Sequence, residues 1–366
     1  MSGESRADRL AALAAEAELD CIFVGDMVRP GDSGPDAIAN IRWLTGFTGT
    51  SGFAIVGAGR REFFTDFRYT HRAKSEVSGD FDRVTLEGRL VAELAKRFSG
   101  KVGYDEDATS VASLRKLEDA MPDGASLVPA TGLVEKLRRT KDAREIEAIA
   151  EASRLADEAF EHLAAAGLAG KTERDVAQSA EQRMRELGAE PSFPAIVGSG
   201  PNGALPHAEP GARVIGEGEL VVIDMGARVD GYCSDGTRTW ATGEISEDAR
   251  ETYELVRRAQ EASLDAIRAG LSGAEADKMS RDPIVEAGQG DLYGHGLGHG
   301  VGLEVHEAPR LGKTSEDVLS EGDVVTVEPG IYVPDRHGVR IEDLVVVEAD
   351  GVRNLSSTSK DLRITG

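Results

Sequence analysis

The sequence predicts an α/β domain followed by an α+β domain built from two related halves, and three observations predict it. Helix-like and strand-like runs alternate through residues 1–132. Near Thr140 the pattern changes to a long Ala/Glu/Arg-rich stretch and then to apolar, β-branched runs. Beyond this change the same series of signals occurs twice: Asp224 and Glu328 are 104 positions apart, Asp235 and Glu342 are 107 apart, and His207-Ala-Glu-Pro210 is echoed 99 positions later by His306-Glu-Ala-Pro309.

In chain order, Leu10 to Leu19 has helical periodicity and Cys21 to Val24 reads as a strand. Gly52 to Val56 and Glu62 to Thr65 read as a hairpin pair, Tyr69 to Val77 and Leu90 to Phe98 as helices, Lys101 to Tyr104 as a strand and Val111 to Ala120 as a helix. Asp142 to Ala166 is a long helix for which Thr140 is the expected N-cap. The domain boundary is placed at 133–140, giving domains of 1–132 and 133–366. In the second domain Thr172-x-x-Asp175 and Ser272-x-x-Glu275 each resemble a capping box opening a helix, with Gly188 and Gly288 available to end them. Each pair of helices is followed by strands: Leu220 to Arg228 with Tyr232 to Trp240, and Val324 to Glu328 with Val339 to Val347. Pro283 falls inside the second capped helix, where it is expected to kink or shorten it.

Length and composition bound the function. A chain of 366 residues with 40% hydrophobic residues supports two domains with ordinary cores. The net charge of −23 argues against nucleic-acid and anionic-membrane partners, which need a basic footprint. The acid excess suits a well-solvated surface, with salt adaptation as the alternative. Two distant cysteines, Cys21 and Cys233, imply no disulfide framework. No apolar run reaches the roughly 18 residues of a membrane span, and Met1 to Asp20 lacks a signal-peptide core, so a cytoplasmic protein is expected.

The chemistry is carried by acids in strand and glycine-rich contexts. Asp230-Gly231 suits a type I′ hairpin turn. That turn sets Gly226 opposite Asp235, and two-residue periodicity then places Asp224 and Asp235 on one face, diagonally adjacent. Glu328 ends a valine-rich run, and Arg340 and Glu342 share a face of the strand Val339 to Val347. His299 lies in His295-Gly-Leu-Gly-His299-Gly-Val-Gly, where glycines exclude a stable helix and let the backbone approach closely. Four carboxylates and one imidazole at one buried point require cations. Two divalent ions at Asp224, Asp235, His299, Glu328 and Glu342 satisfy that need and point to metal-assisted hydrolysis. This carboxylate-rich set suits Mn²⁺ better than Zn²⁺, with Co²⁺ and Fe²⁺ as further alternatives. His295 is read as a nearby support, and His207 and His306 as hydrogen-bond donors or proton carriers beside the ions. The structural alternatives are solvated edge acids at Asp224 and Asp235, a metal-free Glu328–Arg340 ion pair, and loop histidines with backbone partners. Gly198-Ser-Gly200-Pro-Asn-Gly203 matches a dinucleotide fingerprint, but Pro206 and Pro210 exclude the helix that motif needs. Cys233 is read as a small packing residue.

The order Asp, Asp, His, Glu, Glu, with His295-Gly-Leu-Gly-His299-Gly-Val-Gly-Leu-Glu-Val-His306-Glu and Thr326-Val-Glu328-Pro-Gly-Ile-Tyr332, resembles the pita-bread metallopeptidases. These include Xaa-Pro dipeptidases (prolidases), aminopeptidase P, methionine aminopeptidase and creatinase. Residues 140–366 carry the stronger resemblance. Trp43-Leu-Thr-Gly-Phe-Thr-Gly and Thr65-Asp-Phe-Arg-Tyr69 resemble a creatinase-type N-terminal domain, which disfavours methionine aminopeptidase. Creatinase lacks the full ligand set. The resemblance implies that Asp224 holds one ion, that Asp235 and Glu342 bridge both, and that His299 and Glu328 complete the other. It implies hydrolysis before proline by a metal-bridging hydroxide, with Glu328 shuttling the proton and His207 and His306 lining the proline side. Tyr332 and Arg340 match a supporting network, and Arg310 matches an arginine that receives the substrate's C-terminal carboxylate. Xaa-Pro dipeptides are therefore the expected substrates. Aminopeptidase P activity on longer Xaa-Pro peptides is the first alternative, and a metal-retaining, non-peptidase binding protein the second. A homodimer is also implied, with Trp43 and the Gly46–Gly52 loop as candidate contacts and core or turn roles as the alternative.

Overall fold

The computed structural model describes residues 4–31, 34 and 36–365. Two compact units divide the chain, residues 1–138 and 139–366. The first runs α1 (Arg6–Glu16), β1 (Cys21–Val24), α2 (Ala39–Thr45), β2 (Gly52–Gly57), β3 (Arg60–Thr65), α3 (Thr70–Glu76), β4 (Asp82–Thr85), α4 (Leu90–Ala95), β5 (Lys101–Tyr104), α5 (Val111–Ala120), β6 (Ser126–Pro129) and α6 (Leu133–Arg139). Its strands form one mixed sheet in the order β4-β3-β2-β1-β5-β6. Phe23, Phe53, Ile55 and Phe64 pack with Leu94, Phe98 and Leu117 into its core. The first helix starts earlier than the apolar periodicity indicates. Ser5 Oγ accepts from Asp8 N at 3.1 Å, and Asp8 returns a bond to Ser5 N at 3.2 Å, so a capping box opens it. Trp43 is 2% exposed, with the Arg6 guanidinium 4.8 Å from its ring. It is a core residue in this chain, not an exposed contact, because burying its large ring outweighs any surface role.

The second unit contains two similar halves. The first consists of α7 (Ala143–Ala166), α8 (Glu173–Glu186), β7 (Glu190–Pro191), β8 (Ile196–Ser199), β9 (Leu220–Asp224), β10 (Ala227–Val229), β11 (Tyr232–Cys233) and β12 (Thr237–Ala241). The second consists of α9 (Glu247–Ala266), α10 (Gly273–Glu286), β13 (Gly298–Gly300), β14 (Glu307–Leu311), β15 (Val324–Val327), β16 (Gly330–Val333), β17 (His337–Arg340), β18 (Asp343–Glu348) and β19 (Gly351–Asn354). Thr172 with Asp175 and Ser272 with Glu275 form the two capping boxes. The turns before them share one wiring: Gly170 N bonds Ile215 O at 2.9 Å, and Gly270 N bonds Leu319 O at 2.8 Å. The second half's sheet runs β14-β13-β15-β18-β19 and the first half's β12-β9-β8. The fold class is therefore the one the sequence indicates, α/β followed by α+β with an internal pseudo-twofold repeat. No helix among the described residues is long and apolar enough to cross a membrane.

Several local expectations are corrected. Asp142, not Thr140, caps α7: its carboxylate accepts from Arg144 N and Glu145 N, both at 3.0 Å, while Glu145 accepts from Asp142 N at 2.8 Å. A carboxylate at a helix N-terminus also gains from the helix dipole. Thr140 instead forms a β-bridge with Asp323. Pro283 does not shorten α10, which has 14 residues like α8. Only one intrahelical donor is lost, and the capped, packed helix around it persists. The long strands are each interrupted. Leu220 to Arg228 divides into β9 and β10, Tyr232 to Trp240 into β11 and β12, and Val339 to Val347 into β17 and β18. The G-x-G-x-x-G segment forms a 3₁₀ turn at Gly200–Ala204 with no α-helix after it.

Candidate metal centre

The interruptions are where the acids sit. Asp224 ends β9, and Asp235 lies between β11 and β12. Glu328 follows β15 directly, and Glu342 lies between β17 and β18. The hairpin register survives the first break: Val229 faces Tyr232 across the Asp230-Gly231 turn, and Asp224 faces Thr237. Asp235 is then the diagonal neighbour of Asp224, as the turn chemistry dictates. Gly226 is required at the break because a β-carbon there would collide with the Ser234 carbonyl oxygen. In the second half β15 pairs with β18 and β16 with β17. Arg340 and Glu342 thus belong to a chain that changes sheet between them, not to one strand with a common face. Glu342 N donates to Thr237 O at 3.1 Å, tying the halves together at the site. Gly298 lets β13 approach β15, since a β-carbon would meet the Thr326 carbonyl oxygen.

One cavity of about 950 Å³ is lined by all eleven site residues drawn from the sequence. Ligand atoms of Asp235, His299 and Glu342 lie within 4.8 Å of one another. His299 Nε2 is 3.3 Å from Glu328 Oε1 and 3.7 Å from Asp235 Oδ2. Its Nδ1 lies 3.1 Å from the Gly300 carbonyl. A carbonyl only accepts, so Nδ1 carries a proton and Nε2 is the ring nitrogen turned toward the acid cluster. That is the second-sphere contact which typically fixes a metal-binding histidine.

Electrostatics show that the cluster is incomplete as protein alone. Burial, then repulsion from the neighbouring acids, pushes the Asp235 and Glu342 carboxyls well above the usual carboxylate range. Burial also raises Asp224, against the pull of Arg340. Burial is the largest single influence on Glu328 and would raise it, but the hydrogen bond and charge of His299, with the charges of His295 and Arg340, together outweigh it and hold Glu328 at about 2. Asp224 Oδ1 is buried with no hydrogen-bond partner. Four acids, an acceptor without a donor and an imidazole nitrogen turned toward them fit divalent cations.

The supporting groups form a connected chain. Arg340 donates to Asp224 Oδ2 at 2.6 Å, to Tyr332 Oη at 2.9 Å and to Thr237 Oγ1 at 3.0 Å. Arg340 thus pairs with Asp224, and the alternative Glu328–Arg340 pair is not formed. Tyr332 Oη lies 2.9 Å from His295 Nε2, whose Nδ1 is 2.8 Å from the Gly296 carbonyl. Burial lowers the His295 pKa, in keeping with a neutral ring that accepts from Tyr332. Thr237 Oγ1 donates to Glu342 at 2.6 Å, and Thr326 Oγ1 to Glu328 at 3.1 Å. Neither threonine stands out in the sequence. Each lies two residues from a metal-site acid, so two-residue strand periodicity is the signal that could have found them.

His207 and His306 are exposed and line the cavity. The His306 ring centroid lies 4.3 Å from that of His299. Burial of its inner side, then the charges of His299 and Arg310, lower the His306 pKa to about 4. Arg310 is exposed and lines the same cavity. Its backbone is fixed by bonds from its N–H to Asp317 at 2.7 Å and from Ser315 Oγ to its carbonyl at 2.5 Å. Cys233 packs with Ile149, Val301, Val324 and Leu344 and does not line the cavity.

A pseudo-symmetric α+β fold with a carboxylate-rich, single-histidine centre defines a metal-dependent hydrolase. Residues 147–349 match metallopeptidase family M24, and residues 6–140 match the creatinase/prolidase N-terminal domain. The chain belongs to metallopeptidase family M24, and its catalytic unit has the pita-bread fold. It is 39% identical to a Xaa-Pro dipeptidase of Pyrococcus furiosus over 78% of this chain and 77% of that protein. The solved structure of a Xaa-Pro dipeptidase from Bacillus anthracis superposes with a TM-score of 0.92 at 40% identity, covering 98% of this chain and 99% of that one. An X-Pro aminopeptidase from Thermotoga maritima superposes with a TM-score of 0.89 at 33% identity, covering 98% and 100%.

Proposed function

We propose that this chain is a metal-dependent Xaa-Pro dipeptidase, releasing the N-terminal residue from a following proline. The observation that supports the reading is one cavity lined by Asp224, Asp235, His299, Glu328 and Glu342 and also by Arg310, a guanidinium with no ion-pair partner among the described residues. A dipeptide presents a carboxylate just beyond its scissile bond, and a guanidinium is suited to bind it. A longer peptide carries no charge at that point, so Arg310 favours dipeptides over aminopeptidase P substrates. The dipeptidase names of the relatives support the same choice.

Asp224, Asp235, His299, Glu328 and Glu342 would hold two divalent ions. The donor set favours Mn²⁺. When bound, such ions supply Lewis acidity and a water of lowered pKa. The chain's own groups do the rest. Arg340 orients Asp224 and, through Tyr332, His295. Glu328, fixed by Thr326 and lining the cavity, is placed to receive a proton from the attacking water and pass it to the leaving nitrogen. That nitrogen belongs to a tertiary amide with no N–H, so it needs a delivered proton. His207 and His306 line the proline side and donate to the developing oxyanion.

We place the domain boundary within 133–140 and the protein in the cytoplasm as a homodimer. Equilibrium dialysis against Mn²⁺ tests the centre. The parent should bind two ions per chain and Asp235→Asn fewer, with alanine release from Ala-Pro lost in chelated protein. A parent that binds no Mn²⁺, Co²⁺ or Zn²⁺ above background would overturn the reading.

A further inference from the structure

We propose that the buried ion pair Asp277–Arg281 on α10 is a positioning device that sets the 293–299 loop, and through it His295, His299 and Asp224. This loop contains Gly294, Gly296 and Gly298 and has no regular structure until β13. Glycine-rich backbone loses much conformational freedom on ordering, so its single conformation needs strong contacts. Arg281 provides them. Its Nε and Nη2 donate to Asp277 at 2.6 and 2.8 Å. The other side of the fork reaches the loop, with Nη1 donating to Tyr293 O at 2.9 Å and Nη2 to His295 O at 2.6 Å. Asp277 Oδ1 also accepts from Leu297 N at 3.0 Å, and the guanidinium stacks 3.9 Å from the Tyr293 ring centroid. Residues 293, 295 and 297 are thus each held through the main chain by one charged pair.

From there the contacts run in two directions. His295 bonds Tyr332, which accepts from Arg340, which donates to Asp224. Leu297 leads within two residues to His299. Asp277 is 1% exposed and Arg281 8%. A pair this deep is weak evidence for stability, since desolvation offsets its attraction. Its contribution is to specify one loop conformation. The first half lacks the pair: at the spacing that relates Ser272 to Thr172, the corresponding residues are Ala177 and Glu181. There another buried acid of the second helix does the holding. Glu173, 0% exposed, accepts from Ser199 N at 2.9 Å, Asn202 Nδ2 at 3.1 Å and Gly211 N at 3.3 Å, across the segment that carries His207. Both halves therefore secure a site-bearing loop from the second helix, each by its own residues.

Arg281→Lys, which keeps the charge and loses the fork, tests the inference together with Tyr332→Phe and the double variant. Two readouts are taken: kcat on Ala-Pro, and the visible absorption bands of Co²⁺-loaded protein whose folding is verified by circular dichroism. Arg281→Lys should lower kcat roughly tenfold to a hundredfold, the usual range for groups that orient metal ligands, and shift the cobalt bands. The double variant should lose little more than the worse single variant, because both act along one chain of contacts. Multiplying losses, or cobalt bands like the parent's, would overturn the inference. If Arg281→Lys does not fold, Asp277→Asn/Arg281→Gln makes the same comparison without leaving a lone buried charge. The kinetic arm rests on the dipeptidase reading. A parent inactive on Ala-Pro would refute that reading, while the cobalt spectrum would still decide the role of the pair.

Discussion

Replacing Arg310 by methionine gives a sharp test of substrate recognition. Methionine keeps much of the side-chain length and removes the charge. The backbone of Arg310 is tied to Asp317 and Ser315, so the loop should keep its place. No acid of the chain pairs with this guanidinium among the described residues, so its loss leaves no orphaned internal partner. A hydrogen bond to a charged group is worth about 1.5–3 kcal/mol. Arg310 is exposed, so solvent screening puts the expected value at the lower end, about 1.5 kcal/mol. That corresponds to about a tenfold fall in kcat/KM for Ala-Pro. Ala-Pro amide offers no carboxylate and should lose less than about twofold, a difference within the spread of ordinary surface substitutions. Alanine release followed by chromatography measures both. Equal falls on the two substrates would refute the assignment of Arg310 to the carboxylate.

Metal-free protein should have an unusual pH response. Burial keeps Asp224, Asp235 and Glu342 protonated to higher pH in the fold than in the unfolded chain. The fold then holds more protons, so this contribution is present below the unfolded carboxyl pKa, about 4, and is lost as pH rises through the raised values. The lowered His295 and His306 act in the opposite sense, so chelated protein is compared with Asp235→Asn/Glu342→Gln, which keeps the histidines and lacks two of the raised acids: as pH rises from 5 toward 8 the parent should lose thermal midpoint relative to the variant, and a parent that gains on the variant contradicts the burial of these acids. Thr237→Val removes the hydroxyl that donates to Glu342 and accepts from Arg340. Mn²⁺ affinity by calorimetry should weaken roughly tenfold or more, and an unchanged affinity would mean the hydroxyl only packs.

Legibility in the sequence followed the range of the physics involved. Asp224 and Asp235 could be placed on one face because Asp230-Gly231 fixes a register locally and side chains alternate from there. The two capping boxes were equally local. Long-range facts were not accessible. The sequence offers Glu328 as the ion-pair partner of Arg340, and the Asp224 pair that forms instead is a contact between β17 and the end of β9 from the other half of the unit. Val339 to Val347 reads as one strand because periodicity does not record where a chain changes partner. Asp277 and Arg281, four apart on one helix, have only the spacing of any surface ion pair and carry no signal of their role; their burial against the 293–297 loop is purely tertiary. Thr140 lost the cap to Asp142 because two good capping residues lay within three positions, and the Thr140–Asp323 bridge needed the other half of the unit.

The most direct measurement is alanine release by Mn²⁺-loaded protein from Ala-Pro and from Ala-Pro-Ala, each with a chelated control. Metal-dependent cleavage of Ala-Pro with little or none of Ala-Pro-Ala is the expected result. Cleavage of Ala-Pro-Ala as fast as or faster than Ala-Pro would contradict the dipeptidase assignment, and cleavage of neither would contradict Xaa-Pro hydrolysis itself.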